Sequence, residues 1–555
     1  MTDSPALVRP QHVPDILDVI AALSSDAVPT PPVLARALLD LLPQEVWSNP
    51  DYKWLDPATK SGSILREVAH RLMDGLTEWQ PNPEKRADHI LRNMLYGCGV
   101  TQVHGEMTRR SVYVSRDASG PHSIIKFDDD QGNLVFAAAD HDFPTRNGKA
   151  SGACRICGAP FGLERGPNRE NYAYAFIHGA YPTEEMQDMK FDVIVGNPPY
   201  QIGMQDLSGN KTANILPLYN KFVDRAIELN PKYLAMIIPS RWFAGGKGLE
   251  DFRRRMIADR RIKAIVDNPK LFDCFPGVEI KGGVNYFLWD REHDGDCEFS
   301  TRIDGVIKST SIRDLRHGEG VVLRDNFAAG IVQRVSSDPF EKGSLADVVS
   351  ASDPFGQGIK TNFAAAEDEP FEGSIPLIYV NRVGYIRRDQ LERNHDWVDQ
   401  WKVLIPMAGD GHGREISYVL GEPIALAPGS ACTQSYLVAG RFETSEEARN
   451  YARYLTTKFV RFLVLQRKST QHVRPDKFRF VPMLDMTRSW TDQDLYEHFG
   501  LSDEEIEYIE ATIHPREAIL SLDSPIPASH LPGGSKYRPP GERANEEAES
   551  VEDDE

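Results

Sequence analysis

Cysteine is scarce and long apolar runs are absent in this chain of 555 residues. Six cysteines are far too few for a disulfide scaffold, and only Cys154 and Cys157 lie close together in the sequence. No apolar stretch approaches the ~20 residues that a membrane-spanning helix needs. The N-terminal residues are polar and acidic, and they lack the basic and then apolar stretch of a secretory signal. We therefore expect a cytoplasmic protein with reduced thiols and no membrane partner.

Positive charge is also in the minority. Lys and Arg number 63 against 82 Asp and Glu, which gives a formal net charge of −19. The acids are unevenly spread, however, because residues 541–555 alone hold eight acids and one Arg. Since the local distribution of charge decides binding, the net charge does not exclude a nucleic-acid partner.

Hydrophobic periodicity divides the chain into two folded parts and a tail. Strand-like apolar runs alternate with helical spacing from about residue 15 to 300, which predicts a doubly wound, Rossmann-like α/β domain over residues 1–325. The periodicity fails at about 121–190, which we interpret as a small insertion. Short apolar runs separated by Gly and Pro predict a mixed α+β domain over 326–523. We expect the acidic tail, 524–555, to be disordered because it cannot bury enough apolar surface.

The sharpest motif is Asn197-Pro198-Pro199-Tyr200, which follows the apolar run 191–195 and Gly196. Two consecutive prolines fix the backbone and remove two donors, so the Asn197 amide and the Pro198 carbonyl can point at a ligand. These acceptors suit a planar amino group whose nitrogen lone pair faces an electrophile, and Tyr200 offers a stacking face for a base. The alternative is that the two prolines merely end a strand.

A second motif lies at the first predicted strand-to-helix turn, where doubly wound folds bind a nucleotide cofactor. Its residues are Asp56-Pro57-Ala58-Thr59-Lys60-Ser61-Gly62, most of them small enough to let a ligand approach the backbone closely. Thr30-Pro31-Pro32 stands upstream, at the start of a predicted helix.

In this order, the segments resemble the adenine-specific DNA methyltransferases of restriction-modification systems, in the arrangement called the gamma class. The resemblance implies S-adenosylmethionine as cofactor and methyl transfer to the N6 amino group of an adenine flipped out of double-stranded DNA. It implies catalytic roles for Asn197, Pro198, Pro199 and Tyr200, and contacts of Tyr200 and Phe275 with the flipped base. The residues implied for the cofactor are Thr30, Pro31, Asp56, Pro57, Ala58, Lys60, Ser61 and Gly62. Residues 326–523 would be the target-recognition domain, and a cognate restriction endonuclease would be a separate chain.

Two positions depart from the family pattern. Lys60 replaces the first Gly of the cofactor turn, where its side chain either crowds the cofactor or pairs with the methionine carboxylate. The second strand lacks the acidic residue that usually contacts the cofactor ribose, so Thr101 or Gln102 would have to supply that hydrogen bond.

The insertion contains a set of metal-ligand side chains. Cys154 and Cys157 form a Cys-x2-Cys pair, with His141 upstream and His178 downstream. Two cysteines and two histidines are a common tetrahedral zinc set, and a loop-rich insertion lacks the core to hold itself together. We therefore expect a structural zinc, with two free thiols as the alternative.

One basic segment stands out in the acidic C-terminal part. Residues 458–480 carry seven Lys or Arg against a single acid, Asp476. The residues expected to contact DNA are Arg467, Lys468, Arg474, Lys477 and Arg479. The alternative is a solvated helix face. Residues 381–388 form a second, shorter basic segment.

Three rival functions stay open on the sequence. A methyltransferase acting on RNA adenine or protein glutamine would use a similar Asn-Pro-Pro-Tyr motif. A nuclease is suggested only by Asp273 with Glu279-Ile280-Lys281, a short pattern that recurs by chance. A non-catalytic DNA-binding specificity subunit would account for Lys60 and the missing ribose acid.

Overall fold

The computed structural model describes part of the chain, as two separate units. The described residues are 30–520 without 138, 140, 147, 158–160, 162–173, 180–188, 203–215, 271–272, 276–279, 281, 338–342, 365, 381, 409–417, 469–471 and 519. One unit comprises Met1–Arg316 and Gly320–Asn326, and the other His317–Glu319 and Phe327–Glu555. No helix within the described residues is long and apolar enough to cross a membrane. The predicted acidic tail lies outside the described residues.

The N-terminal unit alternates helices and strands, as predicted. Its helices are α1 (Pro32–Leu39), α2 (Ser63–Gly75), α3 (Pro83–His89), α4 (Gln102–Tyr113), α5 (Tyr174–Ile177), α6 (Tyr219–Glu228) and α7 (Glu250–Ala258). Its strands are β1 (Trp54–Thr59), β2 (Leu95–Gly99), β3 (Leu134–Val135), β4 (Thr145–Arg146), β5 (Lys149–Ala150), β6 (Val193–Gly196), β7 (Gln201–Ile202), β8 (Leu216–Pro217), β9 (Tyr233–Pro239), β10 (Ile262–Asn268), β11 (Val284–Asp290), β12 (Cys297–Ile303) and β13 (Val306–Arg313).

Nine of these strands form one sheet, in the order β13-β12-β10-β11-β9-β6-β1-β2-β3. The five strands β3, β2, β1, β6 and β9 are parallel, whereas β11 runs antiparallel to both of its neighbours. On one side of β1 the next strands in the sheet are β2 and then β3. On its other side the next strands are β6 and then β9. The order therefore reverses between β1 and β6, and ligands of such sheets bind in the crevice outside the carboxyl ends of the strands at this point.

Helices cover both faces of the sheet. Ile194 of β6 packs in a buried cluster with Phe222 of α6 and Phe252 of α7. Val193, the preceding residue of the same strand, packs in a second cluster with Val68 of α2. Alternate side chains of a strand point to opposite faces, so a strand buried on both sides must be apolar throughout. The predicted α/β class with a large central sheet is confirmed.

The predicted start of the insertion, near residue 121, is wrong. Strand β3 pairs in parallel with β2 as the last strand of the sheet, so the main fold extends to Val135. A two-residue strand carries no periodic signal, which is why the sequence pattern missed it. The described part of the insertion after β3 contains the short hairpin β4–β5 and the single-turn helix α5.

The C-terminal unit is mixed in secondary structure. Its helices are α8 (Asn326–Ser337, which begins at the boundary), α9 (Ser445–Thr456), α10 (Lys458–Leu465), α11 (Asp492–His498) and α12 (Asp503–Thr512). Its strands are β14 (Ser374–Ile378), β15 (Val383–Arg387), β16 (Trp401–Pro406), β17 (Ile424–Leu426), β18 (Ala431–Cys432) and β19 (Tyr436–Phe442). They form two three-stranded sheets, β15-β14-β18 and β17-β16-β19, around one apolar cluster.

Candidate functional site

Three side chains from distant parts of the sequence meet where the strand order reverses. Asp56 lies in β1, Asn197 follows β6, and Thr30 precedes α1. The Asn197 Nδ2 group donates a hydrogen bond of 3.0 Å to the Thr30 hydroxyl oxygen. All three line one small pocket, together with Ala58, Lys60, Ser61, Gly62, Ser63 and Ile64. The structure thus brings most of the predicted cofactor residues to the predicted catalytic Asn.

Asp56 is the electrostatic centre of this pocket. Burial raises the pKa of its carboxyl from 3.8 to about 7, although the hydrogen bond from the Ala58 N–H and the nearby Lys60 ammonium both oppose that rise. The Asp56 Oδ1 atom accepts the Ala58 bond at 3.0 Å. The pocket therefore contains a carboxyl group that changes its charge close to neutral pH.

The turn that follows Asp56 is anchored to helix α4. The Thr108 hydroxyl donates to the Lys60 carbonyl at 3.2 Å, and the Ser111 hydroxyl donates to the Ser61 carbonyl. The Ser63 hydroxyl donates to the Thr30 carbonyl at 2.9 Å and so links α2 to the N-terminal element. Lys60 is only 5 % exposed and lines the pocket. Ser63 also lines the pocket, although it was not among the predicted cofactor residues; its position directly after the small-residue turn could have indicated it.

A close helix–strand contact leaves no room for a side chain at the end of β2. A Cβ atom on Gly99, the last residue of β2, would lie 2.7 Å from the Gly105 nitrogen and 2.8 Å from its Cα atom. No side chain fits there unless α4 moves. Thr101, the predicted substitute, caps α4 by accepting a hydrogen bond of 3.2 Å from the His104 N–H. Among the described residues, Thr101 is not one of those that line the pocket of Asp56 and Asn197.

The two predicted base-contacting aromatics lie side by side. The Tyr200 and Phe275 rings are 6.3 Å apart at 69°, an edge-to-face contact. The Tyr200 hydroxyl is buried, and it has no hydrogen-bond partner within the described part of the chain. Burial raises the pKa of Tyr200 well above its ordinary value, which keeps the phenol neutral. We call the Tyr200 and Phe275 rings the aromatic wall, and its first member stands three positions after Asn197.

The four predicted metal ligands come together in space. The ligand atoms of His141, Cys154, Cys157 and His178 all lie within 4.8 Å of one another. The Cys157 Sγ atom is 3.3 Å from His141 Nδ1, and the Cys154 Sγ atom is 3.8 Å from His178 Nε2. Next to this cluster, Phe176 of α5 stacks on Phe222 of α6, and Lys221 of α6 donates a hydrogen bond to the Ile156 carbonyl. The segment around the cluster therefore packs against α6, the helix that follows the Asn-Pro-Pro-Tyr loop.

The predicted DNA contacts of Arg467 and Lys468 are wrong. Arg467 is 9 % exposed and donates to the carbonyls of Gly318 and Glu319. Lys468 is 6 % exposed and donates to the Val419 carbonyl at 2.6 Å. Backbone carbonyls replace water around both cations, so neither is available to a phosphate.

The other three predicted DNA contacts differ in exposure and pairing. Arg479 is exposed but forms ion pairs with Glu319 and Asp347, and Lys477 pairs with the adjacent Asp476. Arg474 is exposed, and no acidic partner contacts it within the described residues. In the second basic segment, Arg382 and Arg388 also pair with acids. Residues 469–471 of the first basic segment lie outside the described residues.

Comparison with known proteins places this geometry in a family. Residues 93–275 match the model of the Eco57I restriction-modification methylase. The chain is 34 % identical over 366 residues to an uncharacterized adenine-specific methylase of Mycoplasma pneumoniae, covering 61 % of this chain and 84 % of that protein. The chain belongs to the family of adenine-specific methylases.

Two solved structures also align with this chain, at low identity. The type IIG restriction endonuclease BpuSI aligns with a TM-score of 0.36 and 12 % identity over 88 % of this chain. The DrdV–DNA complex aligns with a TM-score of 0.40 and 12 % identity over 83 % of this chain. The methylase spans 61 % of the BpuSI chain and 56 % of the DrdV chain.

The raised pKa of Asp56 predicts how stability depends on pH. Its contribution to the free energy of unfolding is complete below about pH 4 and is lost as the pH rises towards about 7, where the buried carboxyl ionises in the folded state. Replacing it by a neutral amide removes this loss. We expect Asp56→Asn to gain stability relative to wild type between pH 5 and pH 8, by at most about 4 kcal/mol, as measured by urea unfolding. The exposed Asp74→Asn is the control, and a pH-independent difference for Asp56→Asn would contradict the assignment.

Proposed function

We propose that this methylase transfers the methyl group of S-adenosylmethionine to the N6 amino group of an adenine flipped out of double-stranded DNA, as the modification component of a restriction-modification system. The observation that carries the proposal is the pocket shared by Thr30, Asp56 and Asn197 at the reversal of strand order. That pocket lies in a chain that belongs to the adenine-specific methylases.

Asn197 acts as a preorganised acceptor. Its Nδ2 group donates to Thr30, which sets the orientation of the amide and makes Oδ1 the atom offered to an amino group. Oδ1 and the Pro198 carbonyl accept hydrogen bonds from the adenine amine and stabilise the positive charge that develops on its nitrogen. Pro199 keeps the backbone rigid, and Tyr200 and Phe275 offer aromatic faces to the base.

The pocket residues fit the cofactor. S-adenosylmethionine supplies a methyl group on a sulfonium sulfur, which is the electrophile of the reaction. The buried Asp56 carboxyl suits a cationic ligand, and the Lys60 ammonium can pair with a carboxylate. Ala58, Ser61 and Gly62 leave the backbone accessible, and Thr30 lines the same pocket. The contact to the ribose, assigned to Thr101 on the sequence, stays a prediction.

The C-terminal unit is the proposed target-recognition domain. Double-stranded DNA is the substrate, the order of motifs is that of the gamma class, and a cognate restriction endonuclease is a separate chain in this proposal. Of the basic residues singled out in the sequence, Arg474 is the exposed cation best placed for a phosphate contact.

The first test of the function is a methyl-transfer assay with radiolabelled S-adenosylmethionine. Unmethylated DNA, RNA and protein are offered in parallel, and the labelled nucleoside is identified. We expect N6-methyladenine in DNA, and Asn197→Ala should lower the rate at least about a hundredfold because a transition-state acceptor is lost. DNA binding should change little.

Two outcomes of this assay would count against the proposal. Label only in RNA or protein would move the activity to another substrate, and no label with folded protein would favour a binding subunit. The exposed amide variant Asn93→Ala serves as the control and should retain the wild-type rate.

The role of Arg474 predicts a change in salt dependence. A phosphate contact releases about one counterion, so Arg474→Ala should weaken DNA binding across all sequences and reduce the slope of log K against log salt by about one. Arg467→Met should lower stability but leave that slope unchanged, because the Arg467 side chain is buried. An unchanged slope for Arg474→Ala in fluorescence anisotropy titrations would remove it from the DNA interface.

A structural zinc held by His141, Cys154, Cys157 and His178 is also part of the proposal. Zn–S distances of about 2.3 Å and Zn–N distances of about 2.0 Å in a tetrahedron place ligand atoms about 3.3–3.8 Å apart. The separations of 3.3 and 3.8 Å between Cys and His ligand atoms fall in this range, and the four ligand atoms, all within 4.8 Å of one another, would draw closer around an ion. The metal would hold the insertion on α6 and take no part in methyl transfer.

Metal analysis tests the zinc proposal. We expect one zinc per chain by plasma emission spectrometry, and Cys154→Ser should lose most of it and melt several degrees lower, because metal binding contributes to folding. Cys297→Ser, at a buried cysteine outside the cluster, should keep its zinc. Protein purified without chelators that contains no stoichiometric metal would leave four ligands without an ion and end this proposal.

A further inference from the structure

The chain between β10 and β11 carries Phe275, and we call residues 269–283 the clamp segment. The described residues of this segment are 269–270, 273–275, 280 and 282–283. Cys274, Phe275 and Ile280 are buried in the same apolar cluster as Val266 of β10 and Val284 of β11. Packing therefore places Phe275 beside Tyr200. Apolar contacts have no fixed direction, so the position of the segment also depends on hydrogen bonds at its ends.

Arg324 fixes the carboxyl end of the clamp segment. Its Nε and Nη2 atoms each donate to a different oxygen of Asp267, the penultimate residue of β10, at 2.8 Å. Its Nη1 atom donates to the Gly282 carbonyl at 2.8 Å. One guanidinium thus joins the strand before the clamp segment to the end of the segment itself, in the two-pronged geometry that only Arg provides.

The carboxylate that receives this fork is fully buried. Asp267 has an exposed fraction of 0 %, and its Oδ1 atom also accepts a hydrogen bond of 2.7 Å from the Ser240 hydroxyl. The Ser240 N–H in turn donates to the Gly283 carbonyl at 2.9 Å. Because a buried carboxylate without its cation is costly, the fork and the two ends of the segment form one cooperative unit.

The two ends of the clamp segment are in direct contact. Gly283 has a φ of +77°, and a Cβ atom on it would lie 2.2 Å from the Asn268 carbonyl oxygen. The amino end is tethered separately, since Lys270 pairs with Asp304 at 2.7 Å and the Asp304 N–H donates to Asp273 at 2.9 Å. The segment is closed at its base, where the Arg324 side chain donates hydrogen bonds both to Asp267 and to the Gly282 carbonyl.

We propose that Arg324 is a positioning residue for the base pocket. By joining Asp267 to Gly282 it holds the two ends of the clamp segment together, which keeps Phe275 against Tyr200 and the aromatic wall formed before a base arrives. This inference rests on the proposed function, because the wall matters only if an adenine enters it. Small displacements of positioned groups cost large factors in rate, so the effect should appear in catalysis rather than in cofactor binding.

The test uses the full chain and DNA with 2-aminopurine at the target adenine, in the sequence mapped from the methylated product. 2-Aminopurine fluoresces when it leaves the base stack, so its signal reports base flipping directly. We expect Arg324→Ala to lower the fluorescence amplitude and to reduce kcat about tenfold to a hundredfold, with the KM for S-adenosylmethionine unchanged. Arg324→Lys, which can donate to Asp267 without the fork, should fall between Arg324→Ala and wild type.

A matched control lies at the other end of the same strand. Arg261 makes an equivalent fork on Asp259, at 2.7 and 2.8 Å, directly before β10. Arg261→Ala should lose stability and keep the fluorescence signal and kcat per folded molecule. If Arg324→Ala keeps both readouts, or if the two variants lose them only in proportion to lost folded protein, the positioning role is overturned. If wild type neither methylates DNA nor shows the signal, the proposed function fails first.

Discussion

Between β1 and β6 the order of the sheet reverses, and two neighbouring parallel strands send their chains to opposite sides. In a sheet of this kind the connections from the two strands diverge, which leaves a crevice at their carboxyl ends. Thr30, Asp56 and Asn197 are far apart in sequence, and this crevice brings them into one pocket. The helices on both faces and the anchoring of the turn to α4 hold the residues around that opening in place.

Two buried aspartates show how the same cost is met in different ways. Asp267 has its charge compensated by an arginine fork and a hydroxyl, and such a compensated carboxylate suits a purely structural task. Within the described residues, Asp56 is compensated by one backbone N–H and a neighbouring Lys60, so burial dominates and the pKa of its carboxyl rises to about 7. An incompletely compensated group is poised to gain from a ligand of opposite charge.

The sequence predicted what depends on long or local patterns. Strands such as β6 and β9 are continuous apolar runs. The Asn197 motif and the Cys154–Cys157 pair are short local patterns that can be recognised in the sequence. Strand β3 was missed because two residues have no period. Arg467 and Lys468 were misassigned because the residue type does not show whether a cationic side chain is surrounded by backbone carbonyls or by water. The fork between Arg324 and Asp267 joins positions 57 residues apart, which no local pattern encodes.

The contact between Gly99 and Gly105 also limits how this chain can change. An acid at position 99 could be encoded by one substitution, yet its Cβ atom would collide with the backbone of α4 before its carboxylate could reach any ligand. The helix would first have to shift, and that shift would pull on the turn held by Thr108 and Ser111. The position of α4 therefore links the end of β2 to the cofactor turn, so a substitution at Gly99 would disturb both.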